Sequence, residues 1–165
     1  MPNSAPSSTV YWDSCVFLSY INGTADRLPM IDAMLNEANT GRIEIRTSVV
    51  SLTEVAFAQL ERDQGKTDEA VLLAIEELLQ DSNVVTLVEF HELIGRQARL
   101  LMREALENGW ALKPMDAIHL ATARHEGIGA FHTYDGPLSK YASMTGLTIG
   151  TPNTPAQGLL TPPRA

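Results

Sequence analysis

The chain has 165 residues, and its 12 Lys and Arg against 20 Asp and Glu give a formal net charge of −8. Because 44% of the residues are hydrophobic and 19% are charged, the chain can bury a core and is neither a disordered polyanion nor a fibrous repeat. The single cysteine, Cys15, excludes an intramolecular disulfide and a zinc site built on several thiolates. The acidic balance argues against broad, non-specific binding to duplex nucleic acid.

The two ends of the chain are predicted to be tails around a single domain. Pro, Ser, Asn and Thr dominate residues 1–8, and repeated proline without a periodic apolar face marks residues 151–165. We therefore expect one domain over residues 9–150. The sequence has neither the roughly 18 apolar residues that a membrane helix needs nor an opening typical of a secretory signal, so we expect a cytoplasmic protein.

The first half of the domain is predicted to pass twice from a strand to a helix. Residues 10–12 are rich in β-formers and lead through Asp13 into a short helix. A helix is predicted over residues 28–39, followed by an alternating strand over 43–47 and by a helix that begins at Ser51.

The second half of the domain alternates in the same way. Its predicted elements are, in order, a helix capped by Thr67, a strand over 84–88, a helix over 89–107, a helix beginning at Pro114, a helix opened by Asp135 and a strand over 147–149. Short strands that alternate with helices favour an α/β domain with a mainly parallel sheet between helical layers.

Four acidic residues fall at the predicted turns from strand to helix: Asp13, Glu54, Asp116 and Asp135. Each has a local explanation, since Asp13 and Asp135 can be N-caps, Glu54 can complete a capping box with Ser51, and Asp116 can complement a helix dipole. In a parallel sheet, however, such turns gather at one edge, where ligands bind. Four carboxylates at one edge repel one another unless a proton or a cation intervenes, and hard oxygen ligands suit Mg²⁺ or Mn²⁺. A divalent metal in such a site can polarise a phosphodiester and lower the pKa of a bound water.

The segments around these acids resemble the acidic blocks of the PIN domain family, and most closely those of the VapC-like toxins of type II toxin-antitoxin pairs. The segments are VYWDSCVFL at 10–18, SLTEV at 51–55, PMDAIHLATA at 114–123 and FHTYD at 131–135. Their order and spacing agree with the family over about residues 9–149. The resemblance implies a three-layer α/β/α sandwich, an endoribonuclease that uses one or two Mg²⁺ or Mn²⁺ ions, frequent homodimers, and inhibition by a small antitoxin protein.

The resemblance also implies roles for the four acids. Asp13, Glu54, Asp116 and Asp135 fall on the family's acidic positions. We expect the first three to hold the principal metal, directly or through water, and Asp135 to support it or to help bind a second ion. All four are therefore candidate catalytic and metal-binding residues.

Four polar residues near the acids have either a role in the site or a purely structural role. Ser14 falls on the family's small hydroxyl beside the first acid, and Thr133 falls on a threonine that often precedes the last acid. Both are expected to orient carboxylates or water, although both could equally bond nearby backbone. Cys15 departs from the family, in which Asn is frequent at this place, and is interpreted as a packed thiol. His119 is left out of the ligand set, because Mg²⁺ prefers oxygen and a lone helical histidine is usually packed and hydrogen-bonded.

Four basic residues are candidates for contacts with RNA phosphates. Arg96, Arg99 and Arg103 follow the spacing i, i+3, i+7 and therefore share one face of a predicted helix. Lys113 stands just before the third acid. Ion pairs with acidic residues of the same helix explain the three arginines without any ligand.

Three classes of function are compatible with the sequence. The first is a metal-dependent ribonuclease whose antitoxin partner is basic, and the second is a PIN-fold interaction module without useful chemistry. The third is an Asp-dependent phosphotransferase, which needs a second acid that Asp13-Ser14-Cys15 does not provide. Metal-dependent cleavage of RNA distinguishes the first class from the second, and an acyl phosphate on Asp13 identifies the third.

Overall fold

The structure is a computed structural model that describes residues 8–62, 69–80 and 84–154. The elements in these ranges are β1 (Ser8–Trp12), α1 (Ser14–Ile21), α2 (Leu28–Asn39), β2 (Ile43–Ser48), α3 (Val50–Arg62), α4 (Glu69–Gln80), β3 (Val85–Val88), α5 (Glu92–Glu107), α6 (Pro114–His125), β4 (Ala130–His132), a 3₁₀ helix (Gly136–Tyr141), α7 (Ala142–Thr145) and β5 (Thr148–Gly150). Ser8, the last residue of the predicted N-terminal tail, begins β1. Residues 1–7, the greater part of the C-terminal tail from 155 onward, and the predicted cap Thr67 lie outside the described residues.

The five strands form one sheet in the order β3-β2-β1-β4-β5, and every pairing in it is parallel. In this register Tyr11 of the central β1 lies opposite Arg46 on one side and opposite Phe131 on the other. The sheet grows in one direction from β1 to β3 and in the other from β1 to β5. In parallel sheets ligands bind outside the carboxyl ends of the strands at such a reversal, and Asp13 directly follows β1.

Local signals in the sequence explain where several helices begin and end. Asp13 is the N-cap of α1, and its Oδ1 accepts the Cys15 N–H at 3.2 Å. Pro114 opens α6, where its fixed φ suits the first turn and its missing N–H is not needed. The turn after α2 contains Gly41 at φ +73°, a left-handed conformation that glycine adopts without steric penalty.

Helices cover both faces of the sheet, and each face has its own apolar core. One core lies between the sheet and the first four helices, α1, α2, α3 and α4. It contains Val10, Trp12, Val16, Phe17, Ile31, Met34, Ala38, Ile43, Ile45, Val55, Ile75, Leu79 and Val85. The other joins the sheet to the later helices through Tyr11, Ile94, Ala98, Leu101, Ala105, Leu112, Ala117, Leu120, Ala121, Ala123, Ile128, Phe131, Leu138, Tyr141 and Leu147. The predicted three-layer α/β/α sandwich with a parallel sheet is confirmed. Among the described helices, none is long and apolar enough to span a membrane.

The starts of two helices differ from the prediction. Helix α3 begins at Val50, so Ser51 lies inside it, and its Oγ shares a 2.7 Å hydrogen bond with Thr47 Oγ1. The predicted capping box is therefore wrong, because Glu54 turns to His119 instead. Helix α5 begins at Glu92 rather than at residue 89, since residues 89–91 have no regular structure and the N-cap residue His91 is extended.

Candidate acidic active site

Three aspartates interact electrostatically at the carboxyl edge of the sheet. Asp13 follows β1, Asp116 lies in the first turn of α6, and Asp135 is the N-cap residue of the 3₁₀ helix after β4. Burial raises the pKa of Asp116, and the negative charges of Asp135 and Asp13 raise that pKa further. The mutual repulsion is the kind that a bound proton or cation relieves.

Asp13 is the buried member of this group, with 6% of its surface exposed. Burial raises its pKa, while the electrostatic interaction with His119 and hydrogen bonds from Cys15 and Thr133 oppose that rise. Its Oδ1 accepts the Cys15 thiol hydrogen at an S···O distance of 2.8 Å in addition to the Cys15 N–H. The carboxylate is thus held in one orientation at the reversal point of the sheet.

The Cys15 thiol connects this turn to the one that carries Asp135. Its Sγ accepts the N–H of Tyr134 at 3.1 Å and lies 3.2 Å from Thr133 Oγ1. Burial and the adjacent Asp13 raise the pKa of Cys15 to about 12. The sulfur therefore stays protonated near neutral pH and organises the site rather than acting as a nucleophile.

Glu54 is paired with a histidine. Its Oε2 lies 2.5 Å from His119 Nε2, and His119 Nδ1 lies 2.7 Å from the hydroxyl oxygen of Tyr11. The sequence spacing places His119 near Asp116 on α6, but neither of its partners is local in sequence. The sequence therefore gives no signal for these two contacts of His119.

The two predicted hydroxyl neighbours differ in their contacts. Thr133 Oγ1 accepts the N–H of Asp135 at 2.9 Å, and Thr133 also donates toward Asp13. Ser14 is half-buried at the start of α1, and its hydroxyl has no hydrogen-bond partner within the described part of the protein. Asp135 is exposed, and its carboxylate makes no capping hydrogen bond.

The chemistry of these side chains suits a hard divalent cation, although they do not form a ready-made cage. Over residues 8–62, 69–80 and 84–154, no three His, Cys, Asp or Glu side chains stand close enough together to hold an ion. Burial nevertheless raises the pKa of Asp13 and of Asp116, and neighbouring aspartates add to the rise at Asp116, so a bound cation would favour the ionised carboxylates. Carboxylate oxygens are ligands that Mg²⁺ and Mn²⁺ accept.

The basic candidates lie in two different places. On α5, Arg96 Nε donates to Glu92 at 2.8 Å and Arg103 Nε donates to Glu107 at 3.1 Å, both on the exposed surface. Arg96, Arg99 and Arg103 line a shallow depression of about 330 Å³. Lys113 stands nearer the acids, where its charge lowers the pKa of Asp116.

A further cation beside the site has no signal in the sequence. The Arg27 guanidinium stacks over the Tyr134 ring at 4.2 Å from the ring centre and donates to Ser19 Oγ at 2.9 Å. Because Tyr134 precedes Asp135, this stack borders the acidic edge.

Comparison with known proteins decides the family. The model of the PIN domain family matches residues 10–143. The chain belongs to the PIN domain family. No curated protein matches the sequence.

Solved PIN-fold structures resemble this PIN domain over most of its length. VapBC2 from Rickettsia felis, bound to a DNA fragment from its promoter, has a TM-score of 0.66 at 13% identity and covers 88% of this chain and 99% of its own. FitAcB from Neisseria gonorrhoeae has a TM-score of 0.63 at 14% identity and covers 87% of this chain and 97% of its own. VapC20 from Mycobacterium tuberculosis, a toxin that cleaves the sarcin-ricin loop, has a TM-score of 0.60 at 18% identity and covers 79% of this chain and 93% of its own.

The predicted resemblance to a VapC-like PIN domain is confirmed by the family match and by these structures. At such low identities the structural likeness concerns the fold. The chemistry of this PIN domain must be argued from its own residues.

Proposed function

We propose that this PIN domain is a metal-dependent endoribonuclease that hydrolyses RNA phosphodiester bonds as the toxin of a type II toxin-antitoxin pair. The observation that carries the proposal is the electrostatic coupling of Asp13, Asp116 and Asp135 at the reversal point of a PIN-family sheet. Buried carboxylates with raised pKa values at such an edge are typical of functional sites.

In this proposal Asp13, Glu54 and Asp116 hold Mg²⁺ or Mn²⁺, and Asp135 supports that ion or helps bind a second one. When bound, such an ion polarises the phosphodiester and lowers the pKa of water. The protein fixes Asp13 through the Cys15 amide and thiol, while the exposed carboxylate of Asp135 is accessible to solvent and RNA.

Around the carboxylates, Thr133 and Ser14 are the proposed orienting hydroxyls. Thr133 Oγ1 already ties the Asp135 amide to the Cys15 sulfur. Ser14, which lacks a partner among the described residues, is free to bond water or substrate.

For contacts with the RNA backbone, we propose Lys113 and Arg27. Lys113 acts on Asp116, and Arg27 covers the ring beside Asp135. The exposed arginines of α5 are Arg96, Arg99 and Arg103, and we propose that they reach flanking phosphates. Arg96 and Arg103 would do so by releasing their glutamate partners.

We further propose a small basic antitoxin as a partner and a homodimer as the assembly. The net charge of −8 suits a basic partner, and the resemblance to VapC-like toxins implies an antitoxin. Large apolar side chains that are exposed on the single chain, Phe57 at 61% and Leu106 at 68%, support burial of further surface. Light scattering should then give about twice the 18.0 kDa of one chain. We also propose a cytoplasmic location.

The decisive experiment is cleavage of a structured RNA pool, with a sarcin-ricin loop oligonucleotide included, in EDTA, Mg²⁺ or Mn²⁺. We expect cutting only with metal, and a loss of about 100-fold or more in Asp116→Asn, which removes a ligand charge while keeping shape. The matched control is Asp32→Asn, an exposed aspartate on α2 that lies outside the site, and it should cut like the wild type. Cutting in EDTA, or equal cutting by Asp116→Asn, would contradict the proposal.

A further inference from the structure

A buried chain of hydrogen bonds runs behind the acidic edge and ends on Glu54. The Ser48 N–H donates to the Tyr11 hydroxyl oxygen at 3.0 Å, that oxygen lies 2.7 Å from His119 Nδ1, and His119 Nε2 lies 2.5 Å from Glu54 Oε2. Tyr11 is fully buried and His119 is 2% exposed. Polar groups in such a place must satisfy one another, because water does not reach them.

A neutral imidazole gives one assignment of the two shared protons. Because a carboxylate oxygen only accepts, His119 Nε2 carries the imidazole proton and donates it to Glu54 Oε2. Nδ1 is then the acceptor, and the Tyr11 hydroxyl, whose oxygen accepts from the Ser48 N–H, donates to it. Burial raises the pKa of Tyr11 well above its usual range, which keeps the phenol protonated as this arrangement requires.

Ring packing holds Tyr11, the buried end of this series of hydrogen bonds, in place. The Tyr11 ring stacks on Phe131 with centres 5.1 Å apart and an interplanar angle of 15°, and it meets the His119 ring edge-on at 5.8 Å. Tyr11 stands two residues before Asp13 on β1, and His119 stands three residues after Asp116 on α6. These hydrogen bonds therefore fix the position of the Glu54 carboxylate, on α3, relative to β1 and α6. Asp13 directly follows β1, and Asp116 lies on α6.

We propose that His119, held by Tyr11, is the positioning residue for Glu54. It fixes Oε2 and leaves Oε1, which has no hydrogen-bond partner in the described part of the chain, as the oxygen available to an ion. A glutamate with 23% of its side chain exposed would otherwise sample several rotamers and lose that freedom on binding. The inference rests on the proposed function, since the orientation of Glu54 matters for catalysis only if Glu54 is a ligand.

Two other roles for His119 predict different behaviour. A ligand role requires a free ring nitrogen, and both nitrogens are occupied by Tyr11 and Glu54. A purely structural role in the core would affect stability without depending on Glu54.

The test compares His119→Leu, which removes both hydrogen bonds, with His119→Gln, whose amide can donate to Glu54 and accept from Tyr11. For His119→Leu we expect the Kd for Mn²⁺, measured by calorimetry, to rise by about tenfold to 100-fold, as is typical for groups that orient metal ligands. We expect kcat to fall with it while KM for RNA stays unchanged, and His119→Gln to recover most of the loss. His132→Leu is the control, since His132 is equally buried and lies outside the hydrogen-bonded chain.

A double-mutant cycle provides the result that separates positioning from packing. In the Glu54→Gln background, His119→Leu should cause no further loss of Mn²⁺ affinity or of kcat. The same fractional loss in both backgrounds, or a His119→Gln variant as impaired as His119→Leu, would overturn the inference.

NMR spectroscopy tests the position of the His119 proton without a measurement of activity. In ¹⁵N-histidine NMR spectra of the metal-free protein, His119 should be the Nε2–H tautomer, and its Nε2–H resonance should shift in Glu54→Gln and in Tyr11→Phe. A proton on Nδ1 overturns the inference even if RNA is cut. The expected resonances in a protein that neither binds Mn²⁺ nor cuts RNA would instead reject the proposed function and leave the hydrogen-bonded chain as a structural feature.

Discussion

A single sulfur atom joins the two turns that carry Asp13 and Asp135. The Cys15 thiol donates to Asp13, accepts the backbone N–H of Tyr134 and contacts Thr133. A side chain that bonds three groups in a partly buried place is hard to replace, because each of these groups loses its partner and is only partly accessible to water.

Cys15→Ala should therefore destabilise the protein by about 1–3 kcal/mol, the cost of leaving buried polar groups unsatisfied. Cys15→Ser keeps a donor and an acceptor at the same place and should lose clearly less. Urea denaturation measures both, and Ser143→Ala on the exposed surface of α7 serves as the control for a small side chain. Equal loss in the alanine and serine variants would show that the sulfur acts by volume alone.

The raised pKa values of Asp13 and Asp116 make the stability of the metal-free protein depend on pH. Below the ordinary carboxyl value of 3.8 both the folded and the unfolded chain are protonated. As the pH rises, the unfolded chain releases its protons first, so folding stability falls until the pH passes the folded pKa values and then levels off.

Asp13→Asn should remove part of this decline. Asparagine is as good an N-cap as aspartate, so the main change is the loss of a buried charge. In EDTA we expect the variant to be more stable than the wild type at neutral pH, with an advantage that grows from about pH 4 upward. Urea denaturation between pH 4 and 8 measures it, and Asp32→Asn should follow the wild-type curve. An advantage that is constant over this range would contradict the assignment.

At the scale of elements, α6 is central to the helical layer formed by the second half of the chain. Its residues from His119 to Ala123 are all buried, and it packs against α5 through small side chains of both helices, including Ala98, Ala105 and Ala117. Alanines at a helix contact allow a close approach that a larger side chain prevents.

Ala105→Leu should consequently destabilise the protein by about 1–3 kcal/mol through overpacking. The control is Leu106→Ala, the adjacent and 68% exposed position, which should change the stability of the monomer by about 0.5 kcal/mol or less. Both values come from denaturant unfolding. A neutral Ala105→Leu variant would mean that the α5 and α6 contact is not tight.

The same elements show what the sequence could and could not predict. The strand at 43–47, the helix at 28–39 and the start of α6 at Pro114 were predictable because β-branched runs, apolar periodicity and terminal signals are local. The pairing of Glu54 with His119 was not predictable. Residues Ser51 to Glu54 match the pattern of a capping box, whereas the actual partner of Glu54 is 65 positions away. Tertiary contacts override such local patterns, and functional sites are where this occurs most.

The candidate site was predictable only in part. The grouping of Asp13, Asp116 and Asp135 could be predicted, because a parallel sheet gathers its strand-to-helix turns at one edge. The contacts of Cys15, the stack of Arg27 on Tyr134 and the link between Tyr11 and His119 depend on the packing of separate elements. No spacing in a single sequence encodes those contacts.

At the scale of the whole molecule, uncompensated negative charge at one edge should make stability respond to divalent ions. If the acids bind Mn²⁺, a concentration of about 100 times Kd adds about 2.7 kcal/mol to the free energy of unfolding. For a chain of this size that raises Tm by roughly 5–11 °C.

Differential scanning fluorimetry with a Mn²⁺ titration measures this shift, and EDTA should reverse it. Asp116→Asn should lose most of the shift, and Asp32→Asn should retain it. An unchanged Tm of the wild type up to millimolar Mn²⁺ would argue against a metal site at this edge.

The two apolar cores on opposite faces of the sheet also give the molecule a pair of natural optical probes. Trp12 is fully buried in the core of the earlier helices, edge-on to Phe17 at 5.4 Å, whereas Trp110 packs against the other core, edge-on to Tyr141 at 5.8 Å. These are the chain's only 2 tryptophans. Two variants that each retain one indole would therefore report on one layer each by fluorescence, and a difference between their unfolding curves would reveal whether the layers on either side of the sheet melt together or in turn.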